Sequence, residues 1–194
     1  MSSILDRCAE IENEARTVDV NTDGWSIDIH KIEQSDAMLT KVLKHCWGAE
    51  NRMSRKRLMA CSDSILDIPE YYAFCVAPRS VAMQMETHKK KNRFYLWMGT
   101  ARPDRTDAIV GEYSREQLVP FAMVFTARAI KEISHLRMCS KAEKSTRLFM
   151  ALLQLKLSHV DKELAENMMP LCKYRGGICT ELNSCKKNTA NLTN

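Results

Sequence analysis

The segment Thr126–Arg137 (TARAIKEISHLR) carries two arginines, Arg128 and Arg137, nine residues apart. Ala127, Ile130, Ile133, Ser134 and Arg137 recur at steps of three and four, the spacing of one helix face. Nine residues is two and a half helical turns, so the two guanidiniums point to nearly opposite sides. They serve different ligands or different parts of a long one. Ser140-Lys-Ala-Glu143 follows as a capping box that predicts a second helix starting at once, with its free N–H groups beside Arg137 and Lys141 as an anion site.

A second cluster is Gln84-Met-Glu-Thr-His88-Lys-Lys-Lys-Asn-Arg93, a helix end carrying one histidine and four cations. With Phe94, Tyr95 and Trp97 beside it, the cluster suits phosphates or a nucleic-acid surface. The bland alternative is a solvated helix end next to an edge strand guarded by lysines. A third cluster, Cys172, Cys179 and Cys185 around Gly176-Gly177, joins Cys139 as four candidate zinc thiolates. The spacings are long and contain no CxxC pair, so buried thiols packing the tail are the better reading. No Walker loop, G-x-G-x-x-G, G-x-S-x-G or H-E-x-x-H is present. An enzyme built from these residues works by positioning and electrostatics.

The elements that position these groups follow from periodicity. A weak amphipathic helix opens the chain, and Asn21-Thr-Asp-Gly24 forms a turn. Trp25, Ile27 and Ile29 alternate with polar residues as a half-buried strand. Residues 35–47 read as a helix capped by Ser35, and 51–57 as a solvated basic run. Tyr71–Val76 reads as a buried strand ended by Ala77-Pro-Arg-Ser80, with Ser80 capping a helix over Val81–His88. Arg93–Met98 is a second strand. Ser114-Arg-Glu-Gln117 reads as a capping box for a helix kinked by Pro120. Phe149, Leu153, Leu157, Val160, Leu164 and Met168 step as one long helix that Pro170 ends.

The 194 residues hold 45% hydrophobic and 27% charged side chains, enough for a real core in one mixed α and β domain spanning 1–194. The net charge of +5 favours an anionic partner without choosing it. No apolar run reaches the ~20 residues of a membrane span, and the N-terminus lacks the order of a signal peptide, so a cytoplasmic location is expected. Eight cysteines there are thiols or ligands rather than a disulfide framework.

Phe74-Cys-Val-Ala-Pro-Arg-Ser80 running into Gln84-Met-Glu-Thr-His88-Lys89, then Thr126-Ala-Arg128 through His135-Leu-Arg137 and Ala142, resembles the flavin-dependent thymidylate synthases. The stretch from Pro170 to Cys185 is similar to the cysteine-bearing tail of some bacterial and phage members. The resemblance covers residues 70–185 and implies an α+β fold, a mixed or antiparallel sheet packed with helices. It also implies a homotetramer with active sites where subunits meet. The implied reaction is reductive methylation of dUMP to dTMP, with FAD as cofactor and methylenetetrahydrofolate and NADPH as co-substrates.

Residue by residue, the resemblance makes Arg137 catalytic, on the pyrimidine carbonyl side. It assigns His88, Lys89, Arg128 and Lys141 to the flavin, and Gln84, Thr100, Arg102 and Arg137 to the nucleotide. The family's Arg-His-Arg stands here as Thr87-His88-Lys89, its glutamate as Met98 and its later histidine as Lys141. A point-charge lysine does not reproduce a planar bidentate arginine. Three readings follow, in this order: a divergent flavin enzyme acting on dUMP or a related pyrimidine nucleotide, a relative whose FAD binding has decayed to leave a nucleotide-binding or structural protein, and a basic nucleic-acid module.

Overall fold

Alternation of apolar and polar residues along the strands decides which way the sheet faces. The structure, a computed structural model, describes residues 22–48, 54–60, 64–88, 92–96, 114–179 and 184. Within them β1 (Ser26–Lys31), β2 (Glu70–Pro78), β3 (Asn92–Leu96) and β4 (Leu118–Thr126) form an antiparallel sheet in the order β1-β2-β4-β3. Tyr71, Ala73, Cys75 and Ala77 of β2 lie opposite Phe125, Met123, Phe121 and Val119 of β4, and all eight are buried. Ile27 and Ile29 extend the same face onto β1. The opposite face leaves Tyr72, Phe74 and Tyr95 exposed, so β2 is half-buried rather than wholly buried as its composition implied.

The helices are α1 (Gln34–Trp47), α2 (Arg55–Ala60), α3 (Arg79–Glu86), α4 (Ala127–Arg137), α5 (Lys144–Val160), α6 (Lys162–Glu166) and α7 (Leu171–Tyr174). Phe149, Leu153 and Leu157 of α5 are fully buried, and the Phe149 ring meets Phe121 at 5.7 Å between centroids. Ile130 and Ile133 of α4 join the same continuous core.

Several expectations are corrected. The predicted helix after Ser114 is a turn followed by β4, a central strand. Ser114 Oγ accepts from the Glu116 N–H at 3.2 Å, which closes a local turn instead of a helix N-terminus. Pro120 is tolerated because β3 pairs only as far as Phe121, so Pro120 has no second described strand beside it. β2 runs on through Pro78, and α3 begins at Arg79 with no side-chain cap; Ser80 lies inside the helix. Ser35 is also internal, and its Oγ accepts from the Glu70 N–H at 3.4 Å. Ser140 and Glu143 form no capping box: α5 starts at Lys144, beyond a turn closed by Ala142 N–H donating to Cys139 O at 2.9 Å.

The long helix is broken at Asp161. Its backbone leaves the helical region (φ −149°, ψ 86°), and its Oδ1 accepts from the Leu164 N–H at 3.1 Å, capping α6. The spacing from Phe149 to Met168 persists because both helices press on one core. Arg55 is not a solvated member of the basic run. It pairs with Asp36 at 2.9 Å and Glu163 at 3.1 Å, and also with the buried Asp161. Tyr71 Oη donates to the same carboxylate at 2.6 Å. The opening helix predicted over residues 1–20 lies outside the described residues, whereas the turn before β1 is present, with Gly24 at φ 78° against Leu118.

Candidate functional site

Two helix C-termini meet at the site. α4 is fixed at its start by Thr126, whose Oγ1 accepts from the Ala129 N–H at 3.1 Å, and its buried stripe of Ala127, Ile130, Ile133 and Ser134 sets its rotation. That rotation delivers Arg137 to the last turn, where a cation suits the helix dipole. α3 is fixed by buried Val81, Ala82 and Met85, and ends at Thr87 and His88.

Arg137 Nε donates to His88 Nε2 at 2.9 Å, and Arg137 Nη2 donates to Thr87 Oγ1 at 3.0 Å. Thr87 Oγ1 in turn donates a hydrogen bond to the Gln84 backbone carbonyl at 2.7 Å. An imidazole nitrogen that accepts carries no proton, so His88 holds the tautomer protonated on Nδ1. Burial pulls the Arg137 guanidinium below its ordinary range, opposed by the charge of Glu143. An arginine stays charged even so. It is a partly desolvated cation held by two hydrogen bonds.

Beside it lies a cavity of about 340 Å³ lined by Arg79, Ser80, Met83, Gln84, Arg115 and Glu143. The lining from α3 recurs at steps of four, so one helix face carries the cavity wall and then Thr87 at its end. Arg115 is brought in by backbone pairing: Arg79 N–H donates to Gln117 O at 2.8 Å and Ser80 N–H to Arg115 O at 3.0 Å. These bonds carry the β2–β4 pairing past Pro78 and lay residues 115–117 over the first turn of α3. Ser80 Oγ is buried with no hydrogen-bond partner among the described residues. The volume is at the small end of the ~300–1,000 Å³ typical of ligand pockets.

Of the predicted site residues, the structure brings together Gln84, His88 and Arg137. Arg128 is elsewhere: its Nε donates to Glu132 at 3.1 Å and its Nη1 to Asp67 at 3.1 Å. The Glu132 hydrogen bond and the Asp67 charge hold its pKa above the ordinary value. The two arginines thus have separate sets of partners. Lys141 is exposed in the turn after α4, not at a helix N-terminus. Lys89, Thr100, Arg102 and Cys185 lie outside the described residues. Sequence reasoning missed Thr87 as the hydroxyl that holds Arg137. It also missed Arg79, Ser80, Arg115 and Glu143. The four-residue step from Arg79 and Ser80 to Met83 and Gln84 was visible, but the approach of Arg115 was not.

No family model matches the sequence, and no curated protein does. Solved structures do. The flavin-dependent thymidylate synthase ThyX from Helicobacter pylori, complexed with FAD and dUMP, superposes with a TM-score of 0.58 at 11% identity, over 74% of this chain and 99% of that one. A second structure of the same enzyme with FAD and dUMP gives 0.56 at 11% identity, over 74% and 97%. The UMP/dUMP methylase PolB from Streptomyces cacaoi, bound with 5-Br UMP, gives 0.51 at 10% identity, over 73% and 93%.

The likeness is one of fold. It agrees with the antiparallel sheet and its helices, and at these identities assigns no residue a role. The expected α+β class therefore stands on the structure itself, and the site residues stand on their geometry alone.

Proposed function

We propose that this chain binds a pyrimidine nucleoside monophosphate, dUMP foremost, and takes part in its reductive methylation as a flavin-dependent thymidylate synthase-like enzyme. The observation that carries the reading is the Arg137 guanidinium, fixed by His88 and by Thr87, whose hydroxyl in turn bonds the carbonyl of Gln84, a residue lining the cavity of about 340 Å³. A pyrimidine ring presents carbonyl oxygens and an N–H along one edge. Arg137 offers oriented donors to such a carbonyl and stabilises negative charge as it grows on the ring, and Gln84 offers both a donor and an acceptor. His88 keeps the guanidinium aimed.

The solved structures that share the fold hold FAD with dUMP, or a UMP analogue. One protomer's described residues do not make a whole FAD site, because the cavity is small and Arg128 is committed to Asp67 and Glu132. A homotetramer, in which a neighbouring subunit lends residues, is part of the proposal. Methylenetetrahydrofolate as carbon donor and NADPH as reductant complete it.

The test is turnover by purified protein given dUMP, methylenetetrahydrofolate, NADPH and FAD. The expected result is dTMP, with Arg137→Ala folded but slower by about 100- to 1,000-fold, the loss typical of removing one donor to a developing anion. No dTMP, with no FAD retained or taken up, contradicts the enzyme reading.

A further inference from the structure

We infer that the open face of the sheet is where a second copy of this chain docks, face to face about a two-fold axis running along the strands. The surface is separate from the cavity, none of whose lining residues belongs to a strand. The inference does not depend on the nucleotide reading; it supplies one contact of the proposed assembly.

The outward residues form two rows in register. Asp28, Phe74, Ala122 and Tyr95 make one, and His30, Tyr72, Val124 and Arg93 the other. Tyr72, Phe74 and Tyr95 are 40%, 52% and 58% exposed. An aromatic side chain carries about 150–250 Å², so the three leave on the order of 300 Å² in water, a patch size that marks contact sites on monomers. The His30 ring meets Phe74 edge-on at 6.1 Å between centroids, which restricts the motion of Phe74. β2 and β3 stand two strand spacings apart, roughly 10 Å, with the smaller side chains of Ala122 and Val124 between them on β4. The face therefore has a ridge of rings on β2 beside a trough on β4.

An axis along the strands lays β2 of each copy over β4 of the other, and β1 over β3. The ridge of each copy then fills the trough of the other. At the edges, exposed Asp28 faces the strand that carries exposed Arg93. That guanidinium bonds Glu70 through Nη2 at 2.9 Å and keeps further N–H donors. The other isologous axis, across the strands, stacks β2 on β2 and β1 on β1, which sets ring on ring and Asp28 against Asp28. Leu118 and Pro120, exposed further along β4, extend the apolar surface toward the ~800 Å² per partner of a standard interface. A single-stranded nucleic acid also stacks on open aromatics. This face, however, sets two carboxylates, Asp28 and Glu70, against one guanidinium, which suits a polyanion poorly and a copy of itself well.

The experiment is sedimentation velocity of the full chain over low to high micromolar concentration, with circular dichroism to check the fold of each variant. Wild type is expected to self-associate. Phe74→Asp and Ala122→Arg, both at outward positions, each weaken the association step by about 100-fold or more. Asp28→Arg and Arg93→Asp each weaken it by about 10-fold, and the two together restore it; this pair decides if Phe74→Asp fails to fold. A wild type that stays monomeric throughout overturns the inference, as does a double variant no better than its singles. Association unchanged in both Phe74→Asp and Ala122→Arg also overturns it, and leaves the proposed assembly to other surfaces. A single-stranded oligonucleotide that binds wild type but not Phe74→Asp overturns it in favour of a nucleic-acid platform.

Discussion

His88 accepts a hydrogen bond from Arg137, so its contribution is to aim a charge rather than to carry one. A misplacement of about 1 Å costs on the order of 100-fold in a reaction that depends on orientation. His88→Ala should therefore lower turnover of dUMP by about 10- to 100-fold. His88→Gln, which keeps an acceptor within reach of Arg137, should recover most of it. Steady-state kinetics on the two variants check this, and equal losses would show that the imidazole does more than position its neighbour. Arg137 and His88 were both legible as candidates from residue type and spacing, although they are 49 positions apart. Their direct contact was not legible, because it depends on how two helix ends are rotated by buried residues. Thr87 looked like the loss of a charged residue; in the fold its hydroxyl is the second clamp on the guanidinium.

At the scale of elements, the break between α5 and α6 holds the helical side of the fold in place. Asp161 is buried there and accepts from Tyr71 and the Leu164 N–H, with Arg55 and Lys31 beside it. Burial by itself raises the Asp161 carboxyl, but the Tyr71 hydroxyl, the Leu164 amide and the two cations outweigh it and hold it below the ordinary value. A carboxyl depressed on folding contributes stability that is present above its unfolded pKa of ~3.9, and this is lost as pH falls through the lower folded value. Asp161→Ala removes the common partner of these groups and should cost about 3–5 kcal/mol at pH 7. Urea unfolding at pH 7 and pH 3 checks it, with the gap between wild type and variant narrowing at the lower pH. A difference under 1 kcal/mol at pH 7 contradicts the role given to the network.

The same junction shows where sequence reading stops. Hydrophobic spacing reports which residues face the core and is blind to a capped interruption that preserves the face. β4 was missed for a related reason. Ser114, Glu116, Gln117 and Pro120 are helix-start and kink signals, and they outweighed the alternation of Val119, Phe121, Met123 and Phe125. β1, β2 and α4 were legible because local preference and burial agree in them.

Across the whole molecule, the sheet covers the core with one face and presents Tyr72, Phe74 and Tyr95 on the other. Asp28, Phe74, Ala122 and Tyr95 lie in register across all four strands, with Tyr72 and Phe74 on the inner strand β2 and Tyr95 on the edge strand β3. The cavity runs along α3 from its first turn to Gln84, with Arg115 and Glu143 completing its lining. Its small volume and the commitment of Arg128 to neighbouring carboxylates are why the proposed enzyme needs more than one protomer. No helix among the described residues is long and apolar enough to cross a membrane. The crystal structure of the protein grown with dUMP tests the central claim most directly. The account predicts the base against Gln84 and Arg137, with Arg137 still held by His88 and Thr87. Nucleotide bound away from α3, or a cavity that stays empty at saturating dUMP, would contradict it.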